Sequence, residues 1–180
     1  MRALVVYESM YGNTHAIADH IGEGLRSRFD VTVLPVAAVS AEQVRAADLL
    51  VVGGPTHAHG LSTEATRRAA AEAAGKDGLS RDPSATGSGL RDWLAGIPAG
   101  SAGGAAVFDT RLRAPAVFTG AASRGTGRRL GRAGYELVAP PESFFVDRRN
   151  RLLDGEAERA SAWGSAVAES FTAAREVAHG

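Results

Sequence analysis

"ESMYGNTHA", residues 8–16, joins the apolar run RALVVY (2–7) to a segment of helical period and gathers serine, glycine, asparagine and threonine at one junction. From 13 to 28, Ile17, Ile21 and Leu25 recur every fourth position with Ala18 beside them, while Asp19, Glu23, Arg26 and Arg28 take other faces. That is the pattern of a helix with one buried stripe. A helix that starts directly after a strand leaves its first amides unpaired at the positive end of its dipole. Such a junction binds a phosphate without a lysine. Ser9, Asn13 and Thr14 add side-chain donors. Capping by Asn13 or Thr14 uses one donor or two, and does not account for a run of small and polar residues around Gly12.

The same change of period repeats outward from this junction. VTVLPV (31–36), LLVVGG (49–54) and GAAVFD (104–109) are short, continuous apolar runs, the signature of strands buried on both faces. Helical segments lie between them: a short one capped by Ser40, STEATRRAAAEAAG (62–75), GLRDWLAGI with Trp93, Leu94 and Ile97 inward, and 121–133. A last helix at 154–178 carries Ala160, Trp163, Val167 and Phe171 on one stripe. KDGLSRDPSATGS (76–88) reads as a loop. YELVA (135–139) reads as a fifth strand, with SFFVD (143–147) following the Pro140-Pro141 interruption. Strand and helix in alternation predict an α/β fold, a parallel sheet of about five strands covered on both sides. The length, 180 residues, predicts one domain over 1–180.

Composition narrows the chemistry by exclusion. Twenty basic residues balance twenty acidic ones, so no overall field steers the chain to nucleic acid or an acidic membrane. All but Lys76 of the basic residues are arginine, which, with abundant Ala and Gly, suggests a GC-rich, bacterial genome. Without cysteine there is no disulfide, thiolate metal site or thiol nucleophile. No stretch approaches the ~20 apolar residues of a membrane span, and the amino terminus shows no cleavage signal; the expected location is the cytoplasm.

On a doubly wound sheet a ligand sits outside the carboxyl ends of the strands, which brings loops 8–14, 55–62 and 109–120 into view. No Walker loop is present, and GTGRRLG (125–131) lacks the spacing and the preceding strand of a dinucleotide fingerprint. YESMYGNTHAIA (7–18) resembles the phosphate loop of flavodoxin-like proteins, and VVGGPTHAHGLST (51–63) resembles their second flavin loop. GGPTHAHG is similar in particular to the G-x-P-T-x-x-G loop of the tryptophan-repressor-binding-protein family of quinone reductases. The resemblance spans essentially the whole chain. It implies a three-layer sandwich with a five-stranded parallel sheet in order 2-1-3-4-5, and one FMN held without a covalent bond. By the same resemblance Ser9, Met10, Tyr11, Gly12, Asn13 and Thr14 meet the phosphate, Met10 and Tyr11 through their backbone. Pro55, Thr56, His57, Ala58, His59 and Gly60 would run along the isoalloxazine, and Asp109, Thr110 and Arg111 would close its pyrimidine side, with Arg111 open to an incoming anion.

His57 and His59 are the candidates for supplying a proton when a quinone is reduced; with no third ligand at a fitting spacing, no metal is expected. Two departures from the family bear on function. Trp93 and Trp163 fall on helices remote from the flavin loops, leaving Phe108, Phe118 and the histidines near, and the chain is neutral where carrier flavodoxins are acidic. The resulting expectation is an NAD(P)H-dependent quinone or small-molecule reductase. An electron-transfer carrier serving a protein redox partner, and a non-catalytic binding or regulatory module with weak FMN affinity, are the alternatives. Residues 103–151 hold nine arginines against four acids. Arg124, Arg128, Arg129 and Arg132 read as a solvated helix face, and Arg111 or Arg113 as a contact for the phosphates of NADPH.

Overall fold

The computed structural model describes residues 1–56, 60–74, 80–85, 88–99, 103–114 and 120–179. Five strands, β1 (Arg2–Tyr7), β2 (Asp30–Pro35), β3 (Leu49–Pro55), β4 (Gly104–Leu112) and β5 (Glu142–Val146), pair in parallel in the order β2-β1-β3-β4-β5. The crossover helices are α1 (Asn13–Leu25), α2 (Ala41–Ala46), α3 (Glu64–Ala73), α4 (Leu90–Ala95) and α5 (Ala122–Arg132), and α6 (Glu156–His179) follows the last strand.

Side chains alternate across the sheet, as the two-residue period of a strand requires. Ala3, Val5, Tyr7, Leu49, Val51, Ala106 and Phe108 face α1 and α6; Leu4, Val6, Leu50, Val52, Ala105 and Val107 face Leu90, Leu94, Ala122 and Leu130 on the other side. Both faces are thereby apolar, which is why the strands read as continuous hydrophobic runs. On the first face α1 and α6 approach so closely that a side chain at Gly24 or Gly164 would overlap the backbone of the opposite helix. The short α2 and the Ala-rich α3 are each closed by a capping box, Ser40 with Gln43 and Thr63 with Thr66, reciprocal bonds that satisfy the first amides of helices with little apolar surface.

The expected fifth strand is displaced. Residues 135–139 form a single isolated bridge with the sheet, Leu137 with Ala105, in which Ala105 N–H donates to Glu136 O and Val138 N–H to Ala105 O; the strand proper is Glu142–Val146, beside Phe108–Leu112. Pro140 and Pro141 have no N–H to give to a ladder, so pairing stops there and resumes further along β4. In consequence β4 and β5 run past the ends of their neighbours. Pro55 of β3 pairs with Thr110, whereas β4 continues to Leu112, and this overhang forms one wall of the cavity described next.

Candidate functional site

A cavity of about 290 Å³ opens at the carboxyl ends of the strands. Its floor and walls come from loop 9–14, the end of β3 (Pro55, Thr56), the overhang of β4 (Thr110, Arg111, Leu112), Val146, and a turn that follows β5 (Asp147, Arg148, Asn150).

The first loop is shaped by Gly12, whose φ of 91° is a conformation glycine takes without a steric penalty. Its N–H donates to Ser9 Oγ (3.0 Å), no side chain caps the helix, and the first helical bond is Ala16 N–H to Gly12 O (2.9 Å). Among the described residues the amides of Asn13, Thr14 and His15 have no partner. Beside them Thr14 Oγ1 lies 2.7 Å from Thr110 Oγ1, both side chains buried. One hydroxyl donates to the other, so the accepting one retains a proton for a ligand.

Opposite stands a feature that sequence reading did not single out. Asn150 adopts φ 56°, a left-handed conformation in which Asn is among the few tolerated side chains. Its carbonyl accepts from Asn13 Nδ2 (2.8 Å), and its own Nδ2, buried at the cavity wall, has no partner among the described residues. The turn is held by Asp147, whose Oδ1 accepts the amides of Arg149 and Arg151 (2.8 Å each) and whose carbonyl accepts Asn150 N–H. The Arg151 amide, with that of Arg149 and both guanidinium charges, holds the Asp147 carboxyl below the usual carboxylate range. An Asp three residues before an Asn at a strand end was the available signal; among Arg148, Arg149 and Arg151 it was hidden.

The other expected site residues divide. Pro55 and Thr56 line the cavity, although the Thr56 hydroxyl accepts the Ala122 amide at the start of α5 (2.9 Å). Gly60 does not line it. His57, Ala58 and His59 lie outside the described residues, as does Phe118. Asp109 is fully buried beneath the site, where its Oδ2 accepts the Ser123 amide (2.8 Å); it anchors the start of α5 and is not part of the cavity wall. Thr110 belongs with Thr14 at the helix start. Arg111 lines the cavity but is turned back on its own segment, donating to Ala114 O (2.6 Å) with its guanidinium 4.9 Å over the Phe145 ring. It is therefore not open to an incoming anion as expected. Phe108 is fully buried against Phe144 and Trp163 and presents no ring to a ligand.

Behind the first loop, on the side away from the cavity, polar side chains brace it. The Met10 carbonyl accepts the Asp82 amide (2.8 Å) and the Tyr11 hydroxyl donates to Ala70 O (3.0 Å). Asp82, only 1% exposed, lies 3.4 Å from His15 Nδ1, and the His15 ring stacks on Tyr7 at 4.5 Å. Burial works to raise the Asp82 carboxyl, but the Ser84 hydroxyl and amide, the Ser9 hydroxyl and His15 together bring it below the usual range. Burial pushes the Tyr7 phenol above its ordinary value, partly offset by a bond with Ser84. His15, at a surface position by helical spacing, is thus half enclosed. Glu8 ties the loops together: its carboxylate accepts from the Ser62 hydroxyl and from the Leu90 amide (2.7 Å).

The Flavodoxin family model matches residues 5–93. Flavodoxin 2 from Bacillus cereus is 26% identical over 95% of this chain and 100% of its own, with a TM-score of 0.66. A flavodoxin from the domain Archaea (21%, 96% and 99%, TM-score 0.65) and a WrbA-like flavodoxin from Agrobacterium tumefaciens (18%, 95% and 97%, TM-score 0.61) share the fold. No curated protein matches the chain. Among the described residues no helix is long and apolar enough to cross a membrane. By its strand order, its first-loop sequence and these matches, the chain has the flavodoxin-like fold and resembles the Flavodoxin family over residues 5–93.

Proposed function

We propose that the chain binds FMN in this cavity and works in the cytoplasm as an NAD(P)H-dependent reductase of quinones or other small molecules. The observation that carries the cofactor assignment is the set of free amides at Asn13, Thr14 and His15, which suits a doubly charged phosphate ester. Two further donors fit the same group: the spare proton of the Thr14–Thr110 pair and the orphaned Asn150 Nδ2. A buried donor without a partner costs roughly 1–3 kcal/mol, and a phosphate oxygen or a ribityl hydroxyl removes that cost. Ser9, Met10, Tyr11 and Gly12 shape the loop, with Ser9 Oγ acting as an acceptor for Gly12. Pro55, Thr56, Arg111 and Leu112 form the wall that leads away from the helix start.

FMN, when bound, supplies the one- and two-electron chemistry; the protein's part is position and electrostatics. The helix start and Asn150 fix the phosphate end, Arg111 packed on Phe145 keeps the β4 overhang in place, and His57 or His59 delivers a proton to the reduced product. A reductase is preferred to a carrier because the chain is neutral and its site is rimmed by arginines. The carrier reading is favoured by one observation, the match to a Bacillus cereus flavodoxin over its full length.

The test is the absorbance spectrum of the purified protein, identification of the flavin it releases, and NADH or NADPH oxidation with a quinone. Released FMN with quinone-dependent turnover supports the reductase. FMN without turnover moves the protein to the carriers, and no flavin uptake leaves the binding-module reading.

A further inference from the structure

A second cavity, of about 460 Å³, abuts the first across the β4–β5 overhang. Leu112, Val146, Asp147 and Arg148 belong to both walls, while Arg113 and Leu153 face the second alone. Two features set this place apart. Leu112, 46% exposed, is one of three large exposed hydrophobic residues among the described ones, and the other two, Met1 and Val177, stand near the chain ends. Arg113, Arg148, Arg149 and Arg151 are all exposed, and among the described residues none of them forms an ion pair. Arg67, Arg68, Arg159 and Arg175 are matched with carboxylates, whereas Arg26, Arg28, Arg45, Arg124, Arg128 and Arg132 are also exposed without an ion pair among the described residues; what distinguishes this place is that such arginines surround a cavity and an exposed leucine. The one acid in the shared wall, Asp147, spends one oxygen on the backbone amides of its own turn.

We propose that this second cavity receives an anionic aromatic reaction partner, a quinone-like ring bearing a sulfonate, carboxylate or phosphate. Its apolar wall of Leu112, Val146 and Leu153 covers the ring, and Arg113 and Arg148 take the charge. A concave, partly apolar site of this size suits a small molecule rather than a protein face. The redox character of the occupant rests on the function proposed above; its charge and its place rest on the cavity alone. The shared wall sets it next to whatever fills the first cavity.

The test titrates the FMN-supplemented protein with anthraquinone-2-sulfonate and with the neutral 2-(hydroxymethyl)anthraquinone, following the methyl resonances of Leu112 and Leu153. The sulfonate should bind at least about tenfold more tightly than the alcohol. Arg113→Glu should abolish that preference and Arg113→Lys should keep most of it, with the affinity for the alcohol unchanged in both. Equal affinity for the two probes, indifference to Arg113→Glu, or shifts spread over the Arg124 and Arg128 surface in place of Leu153 would each overturn the proposal; the last would indicate a basic face for an acidic macromolecule. FMN binding is measured separately by fluorescence quenching in the same samples. Its failure would end the cofactor assignment and leave the sulfonate result to stand on its own.

Discussion

Two turns meet across the cavity and offer donors to the same space by different means. Turn 9–14 presents the backbone, three amides that a helix start leaves free whatever the side chains are. Turn 147–150 presents one side chain, Asn150, held in a left-handed conformation by an Asp147-centred turn and with a buried donor unpaired. The first is built into the topology. The second is a local device that costs folding energy, and a cost of that kind persists where a ligand offsets it.

The largest effect is expected from removing the side-chain donors of the first turn. Thr14→Val together with Thr110→Val replaces both members of a buried hydroxyl pair by near-isosteres. Urea unfolding should shift little, while FMN affinity by fluorescence quenching falls about a hundredfold, since bonds to charged groups contribute roughly 1.5–3 kcal/mol each. Asp82→Asn tests the brace behind the same turn. A carboxyl whose pKa is lowered on folding stabilises above its unfolded value, and that contribution is lost as pH falls through the folded pKa. The variant should therefore be less stable by roughly 1–3 kcal/mol at neutral pH, with the gap closing below about pH 4.

Asn150→Gly separates the two turns directly. It removes the unpaired donor and relieves the positive φ, so stability should rise by up to about 1 kcal/mol while FMN affinity drops roughly tenfold. A variant that loses stability and keeps affinity would mean that Asn150 is a structural turn residue only. The smallest effect belongs to Arg124→Ala on the exposed face of α5, expected within about 0.5 kcal/mol in stability and without change in flavin binding. A marked loss there would show that the α5 arginines do more than solvate.

The contrast also explains what the sequence disclosed. The sheet was legible because buried parallel strands and striped helices carry their period in consecutive residues, as in RALVVY and Ile17, Ile21, Leu25. The junction at Asn13 was legible for the same reason, since a strand-to-helix step is local. Residues that meet only in three dimensions were not. Thr110 stands 96 residues from its partner Thr14, and Asn150 stands 137 from Asn13; nothing in either local context signals the pairing. The fifth strand was misplaced because YELVA has the better strand composition, yet the two prolines decide where pairing with β4 continues. Asp109 and Arg111 look like ligands in a loop, and the fold turns one under α5 and the other back onto Ala114.

The most direct measurement is a titration of the flavin-free protein with FMN and, in parallel, with riboflavin, which lacks the phosphate, while the amide resonances of Asn13, Thr14 and His15 are followed. The account predicts that FMN moves all three and binds at least about a hundredfold more tightly than riboflavin. Unmoved amides, or equal affinity for the two flavins, would contradict it.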